Sequence, residues 1–198
     1  MSEQYRKVIE LIDAANGADP NIECVQGREW PKELLYSHRM SRMLERYRPD
    51  AGEVERIAIR AQQIERWRSP RSDFPMTRIG YLQWRTRLYR FHAETATALM
   101  ERAGYDGAAI GRVAKAIGKK AVKVNPDTQL LEDVAALVFL EHYLQGFADR
   151  HPEYDETKWI DILRKTWNKM SRDAQAFALS GDVALPQPLR PLIDKALA

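Results

Sequence analysis

The part of the sequence that most constrains the fold is a long helical stretch preceded by two prolines. Pro70 and Pro75 exclude a helix interior at their positions, because proline lacks a backbone N–H and its ring clashes with the preceding turn. After Pro75, side chains spaced three and four residues apart define one stripe of a helix. The stripe consists of Leu82, Arg85, Tyr89, His92, Ala96, Leu99 and Ala103. We therefore predict one long helix, with arginine and aromatic residues in its upper half and packing surface in its lower half.

Helix-period patterns separated by glycine and proline continue along the chain, and signals for β-hairpins are nearly absent. The Gly- and Pro-containing residues 16–30 are predicted to be an irregular loop, and a helix is predicted to start at Pro31. Further helices are predicted over residues 53–67 and, as the most apolar one, over residues 129–150. The predicted fold class is all-α.

Length and composition are consistent with one domain. A chain of 198 residues can bury roughly 70% of its unfolded surface, so it needs no disulfide or structural metal. We predict a compact helical domain over residues 1–180, followed by a proline-rich tail over residues 181–198 whose short helix packs on the domain. The net charge of +3 is too small to indicate a nucleic-acid-binding protein by itself.

The expected compartment is the cytoplasm. The single Cys24 excludes an intramolecular disulfide and a CxxC metal site, which favours a reducing compartment. The first 16 residues carry acids and no apolar signal core, and no apolar run is long enough to span a bilayer. We expect no association with a membrane.

Histidines and carboxylates on separate predicted helices are the candidates for chemistry. The motifs of phosphate-binding loops, dinucleotide-binding folds, serine hydrolases and HExxH metalloproteases are absent. Imidazole and carboxylate ligands on different helices of a bundle suit Zn, Mn or Fe. The candidates are His38, Glu65, His92, Asp133, Glu141 and His142. Each histidine taken singly is more often a hydrogen-bonded structural residue, so the set is better evidence than any member.

The order of these residues resembles the helical layout of HD-domain phosphohydrolases. The resemblance is carried by His38, then AQQIERW, FHAETATALMERAGY and LEDVAALVFLEHYL. In that superfamily histidines and aspartates bind a divalent metal that activates water against a phosphate ester. The resemblance implies metal ligands at His38, His92 and Glu141, and a catalytic role in orienting water for Glu65 or Glu141. Where those proteins have His-Asp this chain has Gln63-Ile64, and glutamine is a poor ligand for transition metals. Either the metal site at Gln63 is degenerate, or proteins of this kind never used this chemistry.

The whole chain more closely resembles a small family of uncharacterised all-helical proteins, classed as a domain of unknown function. Some members carry the label glutamyl-tRNA-synthetase-like, although no aminoacylation signature is present here. The segments that carry the resemblance are LIDAANGADPN, PKELLYSHRM, RWRSPRSDFPMTRIGYLQWR, FHAE and DILRKTWNKMS.

Three functions remain open from the sequence. The first is a metal-dependent hydrolase of a small phosphorylated compound, possible substrates including nucleotides, with a divalent Mn, Fe or Zn ion. Arginines would hold the phosphate and aromatic rings would stack on a base. The substrate-binding candidates are Arg71, Arg78, Tyr81, Trp84 and Arg85. The second function is a nucleotide- or anion-binding module without turnover, and the third is RNA binding by the arginine- and aromatic-rich helix. A homodimer is a further possibility.

Overall fold

The structure is a computed structural model that describes residues 1–197. These residues form ten α-helices and one small β-hairpin, so the predicted all-α class is confirmed. The helices are α1 (Glu3–Gly17), α2 (Lys32–Tyr47), α3 (Glu53–Arg60), α4 (Arg78–Ala103), α5 (Gly107–Ile117), α6 (Pro126–Val138), α7 (Leu144–Asp149), α8 (Glu156–Trp167), α9 (Arg172–Leu179) and α10 (Arg190–Leu197). A π-helical segment, Phe139–Tyr143, connects α6 to α7. Within the described part of the chain, no helix is both long enough and apolar enough to cross a membrane.

Many of the helix starts follow directly from the sequence. In six helices, the side chain before the first helical residue accepts a hydrogen bond from a backbone N–H of the first turn, which has no partner within the helix. These capping residues are Ser2, Thr77, Asp106, Asn125, Asp155 and Ser171. Helix α4 ends at Gly104, whose φ of 88° lies in the left-handed region that favours glycine.

A β-hairpin occupies part of the region predicted to be an irregular loop. Strands β1 (Ile22–Val25) and β2 (Arg28–Pro31) are antiparallel, and Val25 pairs with Arg28 across a two-residue turn. Both turn residues, Gln26 and Gly27, have positive φ, as a type I′ turn requires. The prediction of a loop without a hairpin was wrong because this turn usually carries Asn or Asp at its first position, and here that residue is Gln.

Helix α3 is shorter than predicted. The sequence pattern predicted a helix over residues 53–67, but α3 ends at Arg60 and a series of turns follows. At Glu65 the backbone enters the left-handed region, with a φ of 51°. We call residues 61–69 the crossing segment, because it runs between α3 and the residues that lead into α4.

The predicted inward stripe of α4 is correct in its lower half and wrong in its upper half. His92 and the small or apolar residues below it are buried, as predicted. In the upper half, the inward side chains are Trp84 and Leu88, whereas Leu82 is 53% exposed. The first turn of α4 packs tightly, because a Cβ added at Gly80 would lie 2.1 Å from the carbonyl oxygen of Pro75.

The chain divides into two compact units, Met1–Leu131 and Glu132–Ala198. In the first unit, the largest buried side chains come from α1 to α5 and include Ile12, Met40 and Met100. In the second unit, α10 lies against α8, where the Arg164 Nε donates a hydrogen bond of 3.1 Å to the Ala196 carbonyl oxygen. The predicted domain boundary at residue 180 stays a prediction.

Candidate functional site

The crossing segment is held by side chains that bond to its backbone. The buried His92 on α4 donates from Nδ1 to the Ile64 carbonyl oxygen at 2.7 Å, because a carbonyl can only accept. The Nε1 of Trp84, two turns earlier on α4, donates to the Ser69 carbonyl oxygen at 2.9 Å. His92 and Trp84 therefore hold the crossing segment at Ile64 and at Ser69.

Two further side chains attach the crossing segment to α1 and α2. The buried Asn16 accepts a hydrogen bond of 3.0 Å from the Glu65 backbone N–H, at the residue with positive φ. On α2, the Tyr36 hydroxyl donates to the Gln62 side-chain oxygen at 2.5 Å. The segment is thus fixed in one conformation by three helices, and this conformation places the Arg66 side chain.

The chemistry of His92 is decided by its burial. The pKa of His92 is lowered to about 4, mainly by burial and also by the nearby positive charges of Arg66 and Lys119. The hydrogen bond to the Ile64 carbonyl acts in the opposite direction and raises the pKa. The ring is therefore neutral at pH 7. Because Nδ1 carries the proton, Nε2 can act only as an acceptor of a hydrogen bond or as a ligand.

Two half-buried arginines lack the acceptors that the other buried arginines have. Six arginine side chains in residues 1–197 are buried or half-buried. Arg60, for example, forms a bidentate pair with Asp13 at 2.8 and 2.7 Å. The four with carboxylate or carbonyl acceptors are Arg39, Arg56, Arg60 and Arg71. Within the described residues, the Arg66 and Arg85 side chains donate to neither a carboxylate nor a backbone carbonyl, and their acceptors are the neutral Gln63 amide and the Tyr81 and Tyr89 hydroxyls. A charge removed from water without an opposite charge is unfavourable, so these two guanidinium groups are candidates for binding an external anion.

Polar and aromatic side chains surround the two arginines. The Arg66 Nη1 donates to the Gln63 side-chain oxygen at 2.9 Å, and its guanidinium carbon lies 5.3 Å from the centre of the Trp84 ring. Arg85 donates to the hydroxyl of Tyr89, and its guanidinium carbon lies 5.3 Å from the centre of that ring.

Lys119 is a third positive charge near these side chains of α4. Its Nζ lies 5.5 Å from the centre of the Tyr89 ring, and its charge also acts on His92. Arg66, Arg85, Tyr89, His92 and Lys119 are therefore linked by contacts and by charge within the first unit. We call these five residues the cationic cluster.

One buried carboxyl group faces the cationic cluster. Glu33, in the first turn of α2, is 6% exposed, and burial raises its pKa to about 7. The nearest opposing influence is the positive charge of Arg66, which lowers the pKa. Among residues 1–197, the carboxyl group of Glu33 forms no hydrogen bond or ion pair. A titratable group perturbed by burial next to a specific charge marks a candidate functional site.

The family of the chain is settled by sequence comparison. The family model described as a domain of unknown function, DUF4202, matches residues 6–193. The chain belongs to this family. The uncharacterised family expected from the sequence is thereby confirmed, whereas the likeness to HD-domain proteins and the synthetase label stay predictions. No curated protein and no solved structure matched the chain.

The substrate-binding candidates of the DUF4202 chain have different positions. Arg85 belongs to the cationic cluster, and Tyr81, 41% exposed, lies beside it with its hydroxyl 3.4 Å from the Arg85 Nη1. Trp84 is a buried residue that anchors the crossing segment. Arg71 donates to the carbonyl oxygens of residues 74, 75 and 77, so it holds the turn before α4, and Arg78 is exposed.

The candidate acids and Gln63 of the DUF4202 chain all have local partners. The Gln63 oxygen accepts from Arg66, and Glu65 pairs with Arg68 at 2.9 Å. In the second unit, the Glu141 Oε2 accepts from the Ala184 backbone N–H at 3.0 Å, while Oε1 lies 3.1 Å from His142. These contacts give a structural reason for each residue and do not exclude a further role.

His38 and Asp133 likewise have structural surroundings. The His38 ring lies 5.5 Å from that of Trp30, and burial together with the charge of Arg60 lowers its pKa. The charged neighbours of His38 are different from those of His92. The buried Asp133 accepts from both the backbone N–H and the hydroxyl of Ser171, at 2.7 and 2.6 Å, and so supports the start of α9.

A metal site in the DUF4202 chain stays a prediction. In the part of the chain that the structure describes, no group of three or more His, Cys, Asp or Glu side chains has an arrangement that could hold a metal ion. The Nδ1 bond of His92 does leave Nε2 in the orientation that metal-binding histidines use. The positive charges of Arg66 and Lys119 beside this ring oppose the binding of a cation.

Sequence reasoning missed Glu33 and Lys119, and Arg66 was not among its substrate-binding candidates. An acid in the first turn of a helix is favoured by the helix dipole, so the presence of Glu33 there gave no indication that it is buried. Lys119 follows α5, and its type alone gave no indication of its contact with Tyr89. The position of the Arg66 side chain depends on the crossing segment, which the prediction of a helix over residues 53–67 did not include.

Proposed function

We propose that this DUF4202 chain binds a small phosphorylated compound, with a nucleotide as the leading class, at the cationic cluster. The observation that carries the proposal is the pair of half-buried arginines, Arg66 and Arg85, whose acceptors are neutral side chains and not a carboxylate. Phosphate oxygens are strong acceptors that match the planar guanidinium group, and they supply the missing negative charge.

The other members of the cluster give the site further specificity. Lys119 adds a third positive charge, and the neutral His92 offers Nε2 as an acceptor for a hydroxyl group of the ligand. Tyr81 is exposed beside Arg85 and offers a ring on which a base can stack. These groups suit a ligand that joins a phosphate to a polar or aromatic body.

The geometry favours a small ligand over an RNA strand. The RNA-binding hypothesis used Trp84 as a stacking platform, but Trp84 is only 8% exposed and Arg66 lies over its ring. Hydrolysis of the bound compound, with a metal ion, remains a separate prediction from the sequence. It is measured in the same experiment by product formation with and without Mn, Fe or Zn.

The test is isothermal titration calorimetry with inorganic phosphate, a sugar phosphate and nucleoside mono- and triphosphates. The wild-type chain should bind at least one of them, and Arg66→Gln and Arg85→Gln should each weaken that binding by about 10- to 100-fold. This range corresponds to the loss of about 1.5–3 kcal/mol from a charged hydrogen bond. Arg102→Gln is the matched control, since Arg102 is exposed in the last turn of the same helix, and it should bind as wild type does. No binding to any compound, or equal binding by all three variants, would refute the proposal.

A further inference from the structure

Glu33 is held inside the first unit by its own backbone. Its N–H donates to the Asp19 Oδ2 at 3.0 Å, and the other oxygen of Asp19 accepts from the backbone and side chain of Asn21 at 2.9 and 2.8 Å. Asp19 is therefore fully used as a cap for the start of α2. The side chain of Glu33 is left as a buried carboxyl group without a hydrogen bond in the described residues.

The register of α2 against the crossing segment places Glu33 beside Arg66. Tyr36 on α2 bonds to Gln62, and this hydrogen bond aligns the two elements. Glu33 lies one turn before Tyr36, on the same helix face, and Arg66 lies four residues after Gln62. The electrostatic influence of Arg66 on Glu33 agrees with this placement.

The charges around Glu33 come from every neighbouring element. Besides Arg66, they are Asp19 in the loop after α1, Lys32 on α2 and Glu23 on β1. Two of these four groups are acids and two are bases, so their effects oppose one another and burial dominates. The carboxyl group can therefore change its protonation state near neutral pH when a further charge arrives.

We infer that Glu33 is a ligand-binding residue of the cationic cluster that donates a hydrogen bond to the bound phosphate in its protonated form, so that binding takes up one proton. The inference rests on the proposed function, because the phosphate bound at Arg66 is the acceptor of this hydrogen bond. An anion near a carboxyl group disfavours the charged form and holds the proton on it. A protonated carboxyl group then gives a short, charge-assisted hydrogen bond to a phosphate oxygen. Glu33 selects the ligand by its negative charge and makes the affinity depend on pH.

The test is calorimetry at pH 8 with adenosine monophosphate, in two buffers whose ionisation enthalpies differ. At this pH the phosphate is already a dianion, because its second pKa is about 6, so any proton taken up is taken up by the protein. The wild-type chain should take up about one proton per ligand, because Glu33 is mostly ionised in the free protein at pH 8. The dissociation constant of the wild-type chain should rise about fivefold between pH 7 and pH 8 and about tenfold more by pH 9, because the protonated, binding-competent fraction falls in that proportion.

The decisive variant is Glu33→Gln, whose amide keeps an N–H donor and cannot titrate. It should bind adenosine monophosphate without proton uptake and with the same dissociation constant at pH 7, 8 and 9. Glu10→Gln is the control, because Glu10 is an exposed acid of α1 in the same unit, and this variant should take up a proton as wild type does. Binding by the wild-type chain without proton uptake, or equal uptake by Glu33→Gln, would overturn the role of Glu33 and leave the proposed function standing. Absence of binding in both chains at all three pH values would overturn both.

Discussion

Replacing Glu33 with glutamine should make the folded chain more stable at alkaline pH. The folded chain holds the Glu33 proton more tightly than the unfolded chain does, because burial raises the pKa from 4.5 to about 7. Above pH 7 the folded chain must bury a charged carboxylate, and the amide of Glu33→Gln removes this cost while it keeps nearly the same shape.

The size of the effect follows from the pKa. A shift from 4.5 to about 7 corresponds to about 3 kcal/mol in the free energy of unfolding, at about 1.4 kcal/mol for each pKa unit. The stability that the Glu33 proton contributes is fully present below pH 4.5 and is lost as the pH rises through 7. The difference between Glu33→Gln and wild type should thus be near zero at pH 4, grow between pH 4.5 and 7, and stay at about 3 kcal/mol at pH 8.

His92 acts in the opposite direction over nearly the same range of pH. Burial lowers the pKa of His92 from 6.5 to about 4, so the unfolded chain binds this proton more tightly and stability falls as the pH falls below 6.5. In the wild-type chain the contributions of Glu33 and His92 therefore oppose each other between pH 4.5 and 6.5. In Glu33→Gln only the His92 contribution remains. The protonation of His92 should therefore lower the free energy of unfolding of this variant by about 3 kcal/mol from pH 7 to pH 4.

The assay is urea unfolding followed by circular dichroism at pH 4, 5.5, 7 and 8, for wild type and Glu33→Gln. The other carboxyl groups are the same in both chains, so their effects cancel in the difference. Glu10→Gln, which replaces an exposed acid of α1, is the control and should differ from wild type by less than about 0.5 kcal/mol at every pH. If the difference between Glu33→Gln and wild type does not change with pH, the carboxyl group is not perturbed and the reasoning is refuted.

Two further predictions concern the packing around α4. Gly80→Ala should destabilise the chain by about 3 kcal/mol or more in urea unfolding, because the new Cβ would lie 2.1 Å from the Pro75 carbonyl oxygen. Gly111→Ala on α5 is the control and should stabilise the chain by about 0.5–1 kcal/mol, because no atom lies within 4 Å of its Cβ. A change of the same sign in both variants would contradict this account of the first turn of α4. Trp84→Phe should cost about 1–3 kcal/mol, because it leaves the Ser69 carbonyl without its donor, and hydrogen exchange in the crossing segment should become faster. Unchanged exchange in that segment would show that Trp84 does not hold it.

The parts of the fold that the sequence predicted are those whose ends carry local signals. Helix α4 begins after Pro75 at the capping residue Thr77 and ends at Gly104, and each of these residues acts through its own backbone or side chain. Helix α1, capped by Ser2 and ended near Gly17, follows the same rule. Such signals need no knowledge of the rest of the structure.

The end of α3 could not be predicted in this way. Residues 61–67 contain no proline or glycine, and their pattern continues the apolar stripe of the helix. The chain leaves the helix because Asn16, Trp84 and His92 supply hydrogen bonds to the backbone of the crossing segment. The acceptors of two of these bonds are backbone carbonyl groups, which every residue has, so the sequence holds no trace of them.

The side chains that point inward from the upper half of α4 could not be predicted either, because they too depend on the crossing segment. Tyr81, Arg85 and Tyr89 are spaced as a helical stripe, and so are Trp84 and Leu88, so periodicity alone does not decide which set is buried. The crossing segment decides which set is buried, because it covers the Trp84 face of α4 and leaves Arg85 beside solvent. Arg85 and His92 were among the candidates from the sequence, but their partners in the structure were not predicted.

The same segment combines a buried Ile64 with a positive electrostatic field at His92. Ile64, which the predicted likeness to HD proteins aligns with the aspartate of their His-Asp pair, is fully buried, and its carbonyl oxygen accepts from His92. The bend that places Ile64 in the core turns Arg66 toward α4, where its charge and that of Lys119 act on His92. A divalent cation at His92 would be repelled by both charges, whereas a phosphate would be attracted by both. The early end of α3 therefore both buries Ile64 and brings the positive charge of Arg66 near His92.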